Sequence, residues 1–185
     1  MLVVLIGLSQ ETWWLLMVET LIKSAEQQAF DYVEKGWKVL AVRPNSKEPS
    51  IRFMRYGHNS ATGEVSVIQD WFREVPELNI GIACEKSGLI VLDLDYRNMC
   101  KCSWELGKEL SVIETMQVET GDGLHIYFTT DSLSAVKGKL DNGIDIKYKG
   151  YVVAPPSIHS NGKCYEANGL EPVALPEYLR KRVTK

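Results

Sequence analysis

The amino-acid sequence predicts an α+β fold in which helices flank a mixed or antiparallel sheet. Several short apolar runs rich in β-branched residues are separated by glycine-containing turns, which is the pattern of strands joined in hairpins. The amphipathic segments are set apart from these runs and do not alternate with them, so a regular βαβ repeat is not expected. A length of 185 residues, with 45% hydrophobic and 24% charged residues, suits one globular domain.

The first half of the chain contains two predicted helices and three predicted strands. Apolar residues recur at helical spacing over residues 18–35, and Gly36 supplies a C-terminal stop. Two prolines separated by polar residues indicate a loop over residues 43–49. The other predicted elements are a strand at 37–42, a helix at 65–72, and strands at 79–84 and 89–94 joined as a hairpin through 85–88.

The second half is predicted to place short strands between two further helices. Ser103 is the expected N-cap of a helix over residues 103–116. Gly121-Asp122-Gly123 is the expected turn of a hairpin between residues 117–120 and 124–129. The other predicted elements are strands at 144–147, 151–154 and 163–166 and a terminal helix at 175–182.

Composition and the N-terminal segment indicate a cytoplasmic protein. The net charge of −3 excludes a global basic field, so a nucleic-acid partner would need a local basic patch or metal ions. The four cysteines form no CxxC pair, which favours reduced thiols over a zinc site. The apolar start lacks the basic region of a signal peptide. Residues 1–17 are therefore either an extra packed element or a non-native leader upstream of Met17, and residues 18–185 are one predicted domain.

An apolar run that ends in two carboxylates is the strongest chemical signal in the sequence. In Val91-Leu92-Asp93-Leu94-Asp95, the alternation of a strand places Asp93 and Asp95 on one face and both leucines on the other. The carboxylates would stand roughly 6 to 7 Å apart, and a hard divalent cation is the usual occupant of such a pair. The alternative is a strand end at which both aspartates accept N–H groups of a turn.

Two further motifs contain candidate ligands. In Gly121-Asp122-Gly123-Leu124-His125, the glycines would let the backbone approach an anionic ligand, and His125 could donate to a phosphate oxygen. In Gly143-Ile144-Asp145-Ile146-Lys147, a third carboxylate and a basic group share one strand face. The alternatives are a plain hairpin turn with a satisfied histidine, and a surface ion pair.

The order and spacing of these three motifs resemble the archaeo-eukaryotic primase superfamily, in particular the bifunctional primase/polymerase (Prim-Pol) domains of plasmid and phage replication proteins. The flanking segments are also similar to that family. They are Gly36-Trp37-Lys38-Val39, Lys47-Glu48-Pro49, Trp71 with Asn79-Ile80-Gly81-Ile82, and the run from Tyr151 to Ser157 followed by Gly162 and Tyr165. The resemblance covers residues 25–166 and implies an RRM-like primase/polymerase catalytic core.

The resemblance also implies roles for individual residues. Asp93, Asp95 and Asp145 would be the catalytic carboxylates and would hold two Mg²⁺ or Mn²⁺ ions. The incoming nucleotide would be bound by His125, Gly121, Gly123 and Lys147. Apart from the resemblance, Lys47 and Arg55 lie in loops near the predicted site and are weaker candidates for contacts with DNA, with solvated surface charges as the alternative. The implied partners are a single-stranded DNA template, dNTP or NTP, and a helicase or accessory priming domain on another chain.

Three functions remain open on the sequence. The first is a primase or DNA polymerase, with chain extension favoured over initiation because initiation needs a second nucleotide site. The second is a non-catalytic nucleotide- or DNA-binding module of a replisome. The third is a rolling-circle endonuclease, which ranks last because His125-Ile126-Tyr127 offers one histidine where that chemistry needs a pair.

One residue departs from the family pattern. Asp122 stands where the family has a glycine or serine, and it adds negative charge beside the expected triphosphate.

Overall fold

The computed structural model describes residues 23–185, so the predictions for residues 1–17 and for the start of the first helix at 18–22 lie outside the described residues. In that described range the helices are α1 (Ala25–Glu34), α2 (Val65–Glu74), α3 (Lys101–Ser111) and α4 (Glu177–Val183). None of them is long and apolar enough to cross a membrane. Short 3₁₀ turns at Gly57–Ser60, Glu85–Ser87 and Tyr96–Asn98 complete the helical elements.

Within residues 23–185, ten strands form two sheets. They are β1 (Val39–Val42), β2 (Asn79–Ala83), β3 (Leu89–Asp95), β4 (Gln117–Glu119), β5 (Gly123–Thr129), β6 (Lys139–Asp141), β7 (Ile144–Lys147), β8 (Tyr151–Ala154), β9 (Glu166–Ala167) and β10 (Val173–Ala174). The smaller sheet has the antiparallel order β1-β2-β8, and the larger one has the order β6-β7-β3-β5-β4-β9. Strand β10 runs parallel to the end of β5, so the larger sheet is mixed. The predicted α+β class is confirmed.

Local chemistry explains where the helices begin and end. The Ser24 hydroxyl accepts a hydrogen bond from the Gln27 N–H at 3.1 Å, which caps α1, and Gly36 follows that helix with a φ of +83°. The N-cap of α3 is Cys100, so the prediction of Ser103 was wrong. Ser103 lies inside the helix and is fully buried, because the helix begins directly after the 3₁₀ turn that follows β3.

The prediction that residues 79–84 and 89–94 pair as a hairpin was also wrong. Strand β2 pairs with β1 and β8, whereas β3 pairs with β5 and β7. The connection through Gly88, whose φ is +65°, therefore passes the chain from one sheet to the other. Every residue of β2 is buried, and such a strand needs neighbours on both edges and cover on both faces. By contrast, the predicted hairpin of β4 and β5 is confirmed.

The larger sheet has a hydrophobic core on each face. On one face, Ile90, Leu92 and Leu94 pack with Leu110 of α3 and Leu179 of α4. On the other face, Val91 and Tyr127 share a core with α1, α2 and the smaller sheet. Asp93 and Asp95 continue the row of Leu89 and Val91, beyond the end of this second core. The carboxylates consequently lie where the apolar cover of the sheet stops.

Candidate active site

Strand pairing brings three of the predicted site residues together around Asp93. In the register of the larger sheet, Asp93 on β3 is opposite His125 on β5 and also opposite Asp145 on β7. Residues that are directly paired in this way share one face of a sheet, so their side chains meet. Asp95 lies two residues further along the same face and is paired with Gly123. The three motifs of the sequence are thus adjacent strands of one surface.

Lys147 joins two of the carboxylates. Its Nζ lies 3.0 Å from Asp145 Oδ2 and 3.4 Å from Asp93 Oδ2. Burial acts to lower the pKa of Lys147, but the hydrogen bonds and charges of Asp145 and Asp93 outweigh it, and the net pKa is raised. A second lysine, Lys139 on β6, lies 3.9 Å from Asp145 Oδ1. The pair of carboxylates therefore already attracts positive charge in the protein alone.

Asp95 is held by the turn that follows its strand. Arg97 Nε lies 3.3 Å from Asp95 Oδ1, and the Asn98 amide donates to Asp95 Oδ2 at 2.6 Å. Desolvation opposes ionisation, yet these donors outweigh it and lower the pKa of the Asp95 carboxyl. Arg97 also reaches Asp122, with 3.3 Å between Nη1 and Oδ2. Asp95 is thus ionised, and Arg97 compensates part of the negative charge that Asp122 brings to the site.

His125 is buried and neutral. Its Nε2 lies 3.5 Å from Asp93 Oδ1, and its Nδ1 finds no hydrogen-bond partner among the described residues. Burial lowers the pKa of His125 to about 4, with smaller contributions from the charges of Lys47 and Lys147 and an opposing one from Asp93. At neutral pH the ring therefore carries one N–H donor and one acceptor nitrogen, and one of its nitrogens remains available.

The two glycines of the turn before His125 are required by close packing within the protein. A Cβ at Gly121 would lie 2.3 Å from His159 Nδ1, and one at Gly123 would lie 1.9 Å from the Leu94 carbonyl oxygen. No side chain fits at either position without moving its neighbour. Packing within the protein thus explains both glycines, and the close approach of this turn to a ligand stays a prediction.

A cavity of about 250 Å³ opens beside Asp93. Its lining residues are Lys47, Asp93, His125, Lys147, Tyr151, Val152, Val153 and Tyr165. Lys47 is brought there by two contacts of its loop. The Tyr151 hydroxyl donates to the Lys47 carbonyl at 2.6 Å, and the Asn79 amide donates to the Ser46 carbonyl at 3.2 Å. Arg55, the other DNA-contact candidate, is not among these lining residues, and its guanidinium lies 5.6 Å from the Tyr56 ring centroid.

Sequence reasoning missed the loop that closes this side of the site. His159 is buried, its Nε2 has no hydrogen-bond partner within residues 23–185, and it lies 3.9 Å from Asp122 Oδ2. The Asn161 amide donates to the Gly121 carbonyl at 3.1 Å. Tyr165 lies between the two histidines, with ring centroids 6.0 Å from His125 and 5.9 Å from His159. The sequence signal for this loop was the family resemblance of Gly162 and Tyr165 after the Pro155-Pro156 pair, and nothing singled out His159.

The chemistry of the carboxylates fits a divalent cation. Three carboxylates supply the oxygen ligands that Mg²⁺ and Mn²⁺ prefer, and the lysine between Asp93 and Asp145 marks a point of cation attraction. Across residues 23–185, no three side chains of His, Cys, Asp or Glu stand close enough together to form one ready metal cluster. The carboxylate oxygens therefore match a divalent cation in type. In the structure each carboxylate is paired with a lysine or arginine of the protein.

Comparison with protein-family models places this chain in a family. Residues 29–178 match the model described as bifunctional DNA primase/polymerase, N-terminal, and this match contains all three motifs and more than half of the chain. A comparison with the curated proteins finds no match. The family implies a function of the DNA primase/polymerase type, with DNA and nucleotides as substrates. The chain belongs to the bifunctional DNA primase/polymerase (Prim-Pol) N-terminal domain family.

Proposed function

We propose that this protein is a metal-dependent nucleotidyltransferase that extends a chain on a single-stranded DNA template. The observation that supports this most directly is the register that sets Asp93 between His125 and Asp145 beside a cavity lined by two lysines. Extension from a primer is favoured, and initiation would use an accessory priming domain or a helicase-linked partner on another chain. The phage or plasmid setting is carried by the family resemblance alone.

In this proposal Asp93, Asp95 and Asp145 would hold two Mg²⁺ or Mn²⁺ ions. When bound, such ions lower the pKa of an attacking 3′-hydroxyl and stabilise the charge of the leaving pyrophosphate. Asp95 is suited to this role because the donors Arg97 and Asn98 keep it ionised. Lys147 has to give up its place between Asp93 and Asp145, and its ammonium can then contact the phosphates.

The incoming triphosphate would lie in the cavity beside Asp93. Lys47 and Lys147 line this cavity and would supply positive charge to the phosphates of the nucleotide. His125 can donate one hydrogen bond to a phosphate oxygen as a neutral ring, and Gly121 and Gly123 set the turn from which its strand begins. The chain's own contribution is therefore to orient the nucleotide and to neutralise its charge.

A second candidate function is a non-catalytic nucleotide- or DNA-binding module. It is favoured by one observation, namely that each of the three carboxylates already has a cationic or amide partner from the protein. A module of this kind would bind nucleotide or oligonucleotide and release it unchanged. Binding without incorporation, in the presence of Mg²⁺ and of Mn²⁺, would identify it.

The test is nucleotide incorporation on single-stranded DNA, with and without a primer, and with dNTPs or NTPs. We expect Asp93→Asn and Asp145→Asn each to lower the rate by orders of magnitude, because no other group supplies the lost carboxylate. The matched control is Asp131→Asn, which removes an exposed carboxylate outside the cavity. Product only with a primer indicates a polymerase, and product without one indicates a primase. Synthesis at the normal rate by either site variant would contradict the carboxylate assignment.

A further inference from the structure

We propose that a basic groove beside the catalytic cavity is the path of the single-stranded template, an inference that rests on the proposed function. The groove has a volume of about 610 Å³ and runs along the end of β7 and the connection to β8. Its side chains that matter here are His58, Lys137, Lys147, Lys149 and Tyr151. Below, "basic groove" means the surface formed by these five residues.

The charge of the basic groove is of one sign. Its lining residues include lysines and no aspartate or glutamate. The Lys137 ammonium donates to the Arg182 carbonyl oxygen at 2.8 Å, a partner that leaves its positive charge uncompensated. Within residues 23–185, no carboxylate lies within 4.0 Å of the ammonium of Lys137 or Lys149. On a chain of net charge −3, this is the local basic patch that a polyanion requires.

The basic groove also offers an aromatic face. The rings of His58 and Tyr151 are stacked, with centroids 6.3 Å apart and planes 26° apart, and both residues are partly exposed. Unpaired bases stack on such faces whatever their sequence, and grooves that bind single strands combine this stacking with positive charge along the backbone. The bases of a duplex are covered by their neighbours, so the combination favours a single strand.

The basic groove and the catalytic cavity share a wall. Lys147 and Tyr151 line both of them, and Lys147 contacts Asp93 and Asp145. A strand lying over His58 and Lys149 is therefore led towards the carboxylates. A free metal–nucleotide complex is a poorer occupant, because the basic groove provides no carboxylate for the metal ion.

The test measures binding of a fluorescent oligothymidylate by anisotropy, in EDTA so that no metal ion bridges protein and DNA. Each phosphate contact contributes about −0.7 to the slope of log K against log salt concentration on a single strand. We expect Lys137→Gln/Lys149→Gln to reduce the slope by about 1.4 and to weaken binding by about 25-fold at about 0.1 M salt. The control, Lys35→Gln/Lys108→Gln, removes two exposed charges that lie outside the groove.

A second arm of the test uses stacking in place of charge. His58→Leu should weaken oligothymidylate binding by about tenfold and leave the salt slope unchanged, since it removes a stacking face and no phosphate contact. If circular dichroism shows that the double lysine variant melts at a lower temperature, its loss of binding could reflect unfolding. The His58→Leu variant then decides, and normal oligothymidylate binding by this variant would refute the proposal.

Three results would overturn the inference. They are a normal affinity and slope in the double lysine variant, tighter binding of duplex DNA through the same two lysines, and a loss of dNTP binding with oligothymidylate binding intact. Asp93→Asn separates this inference from the proposed function, because it should abolish synthesis while its oligothymidylate binding in EDTA still depends on Lys137 and Lys149. Groove-dependent binding without any synthesis by the wild type would refute only the proposed function, and synthesis that is independent of the lysines would refute only the groove.

Discussion

At the scale of single residues, Lys147 is the group that would compete with metal ions for the carboxylates of the proposed site. Its ammonium lies between Asp93 and Asp145, and its pKa is raised by their charges, so it remains protonated at neutral pH. A positive charge at that point repels a second cation, while the same charge suits a triphosphate once a nucleotide is present. The resemblance of this motif to its family implied only the second of these effects.

This competition can be measured without turnover. We expect Lys147→Met to bind Mn²⁺ at least about tenfold more tightly in the absence of nucleotide, because it removes a nearby unit charge and keeps the length of the side chain. Titration calorimetry or the electron paramagnetic resonance signal of free Mn²⁺ gives the affinity. Lys139→Met is the control, since its ammonium lies 3.9 Å from Asp145 and is mostly exposed, so its effect should be smaller. Weaker Mn²⁺ binding by Lys147→Met would contradict the competition.

At the scale of elements, the pairing of β3 with β5 holds the site together. The two strands pair along their full length, from Leu89 opposite Thr129 to Asp95 opposite Gly123. At its last pair the backbone of Gly123 packs so closely on Leu94 that the space for a Cβ is taken by the Leu94 carbonyl. The position of Asp95 relative to His125 therefore depends on a glycine.

A single methyl group tests this pairing. We expect Gly123→Ala to lower the free energy of unfolding by about 3 kcal/mol or more, because the two strands must separate to admit a Cβ 1.9 Å from a backbone oxygen. Gly138→Ala is the matched control, with no atom within 4 Å of the added Cβ and an expected change within about 0.5 kcal/mol. Denaturant unfolding measures both values. Equal stability of the two variants would show that β3 and β5 tolerate separation here.

The elements also show which strand connections a sequence can predict. The turn between β4 and β5 was predicted correctly, because Gly121 and Gly123 flank it directly and its partners are neighbours in the chain. The turn over residues 85–88 has similar residues, but its two strands end in different sheets. Turn residues describe the local path of the backbone and carry no information on which edge each strand finally pairs with.

At the scale of the whole molecule, the larger sheet separates the site from much of the core that stabilises it. The core on the far face contains Leu179 of α4, which is 0% exposed, together with Leu92 and Leu110. The carboxylates and the cavity lie on the opposite face. Stability and binding therefore depend on residues that can be changed independently.

We expect Leu179→Ala to lower the free energy of unfolding by about 2 to 5 kcal/mol, because it removes buried methyl groups and leaves a cavity. The affinity for Mn²⁺, measured well below the melting temperature, should stay within about twofold, since additive effects are usual for distant sites. Tyr178→Ala is the control, because this neighbouring side chain is 55% exposed. A large loss of affinity in folded Leu179→Ala would show that the two faces are coupled.

The sequence by itself determined the fold class, the family and the face on which Asp93 and Asp95 lie. These features are local, because strand alternation and turn chemistry operate over a few residues, and the order of the motifs is a property of the chain. Strands β6 and β10 were not predicted, and the strand predicted at 163–166 overlaps β9 only at Glu166, since two or three residues are too few to show a period.

Only the tertiary structure decided what surrounds those carboxylates. It set Asp145 beside Asp93, folded the loop that contains His159 and Tyr165 against His125, and brought Lys47 but not Arg55 to the cavity. It also joined His58 to Tyr151 in the basic groove. The physical reason is that alternation along a strand is the same for every pairing partner. The choice among partners is made by the burial of both faces of the sheets, which involves residues far apart in the chain.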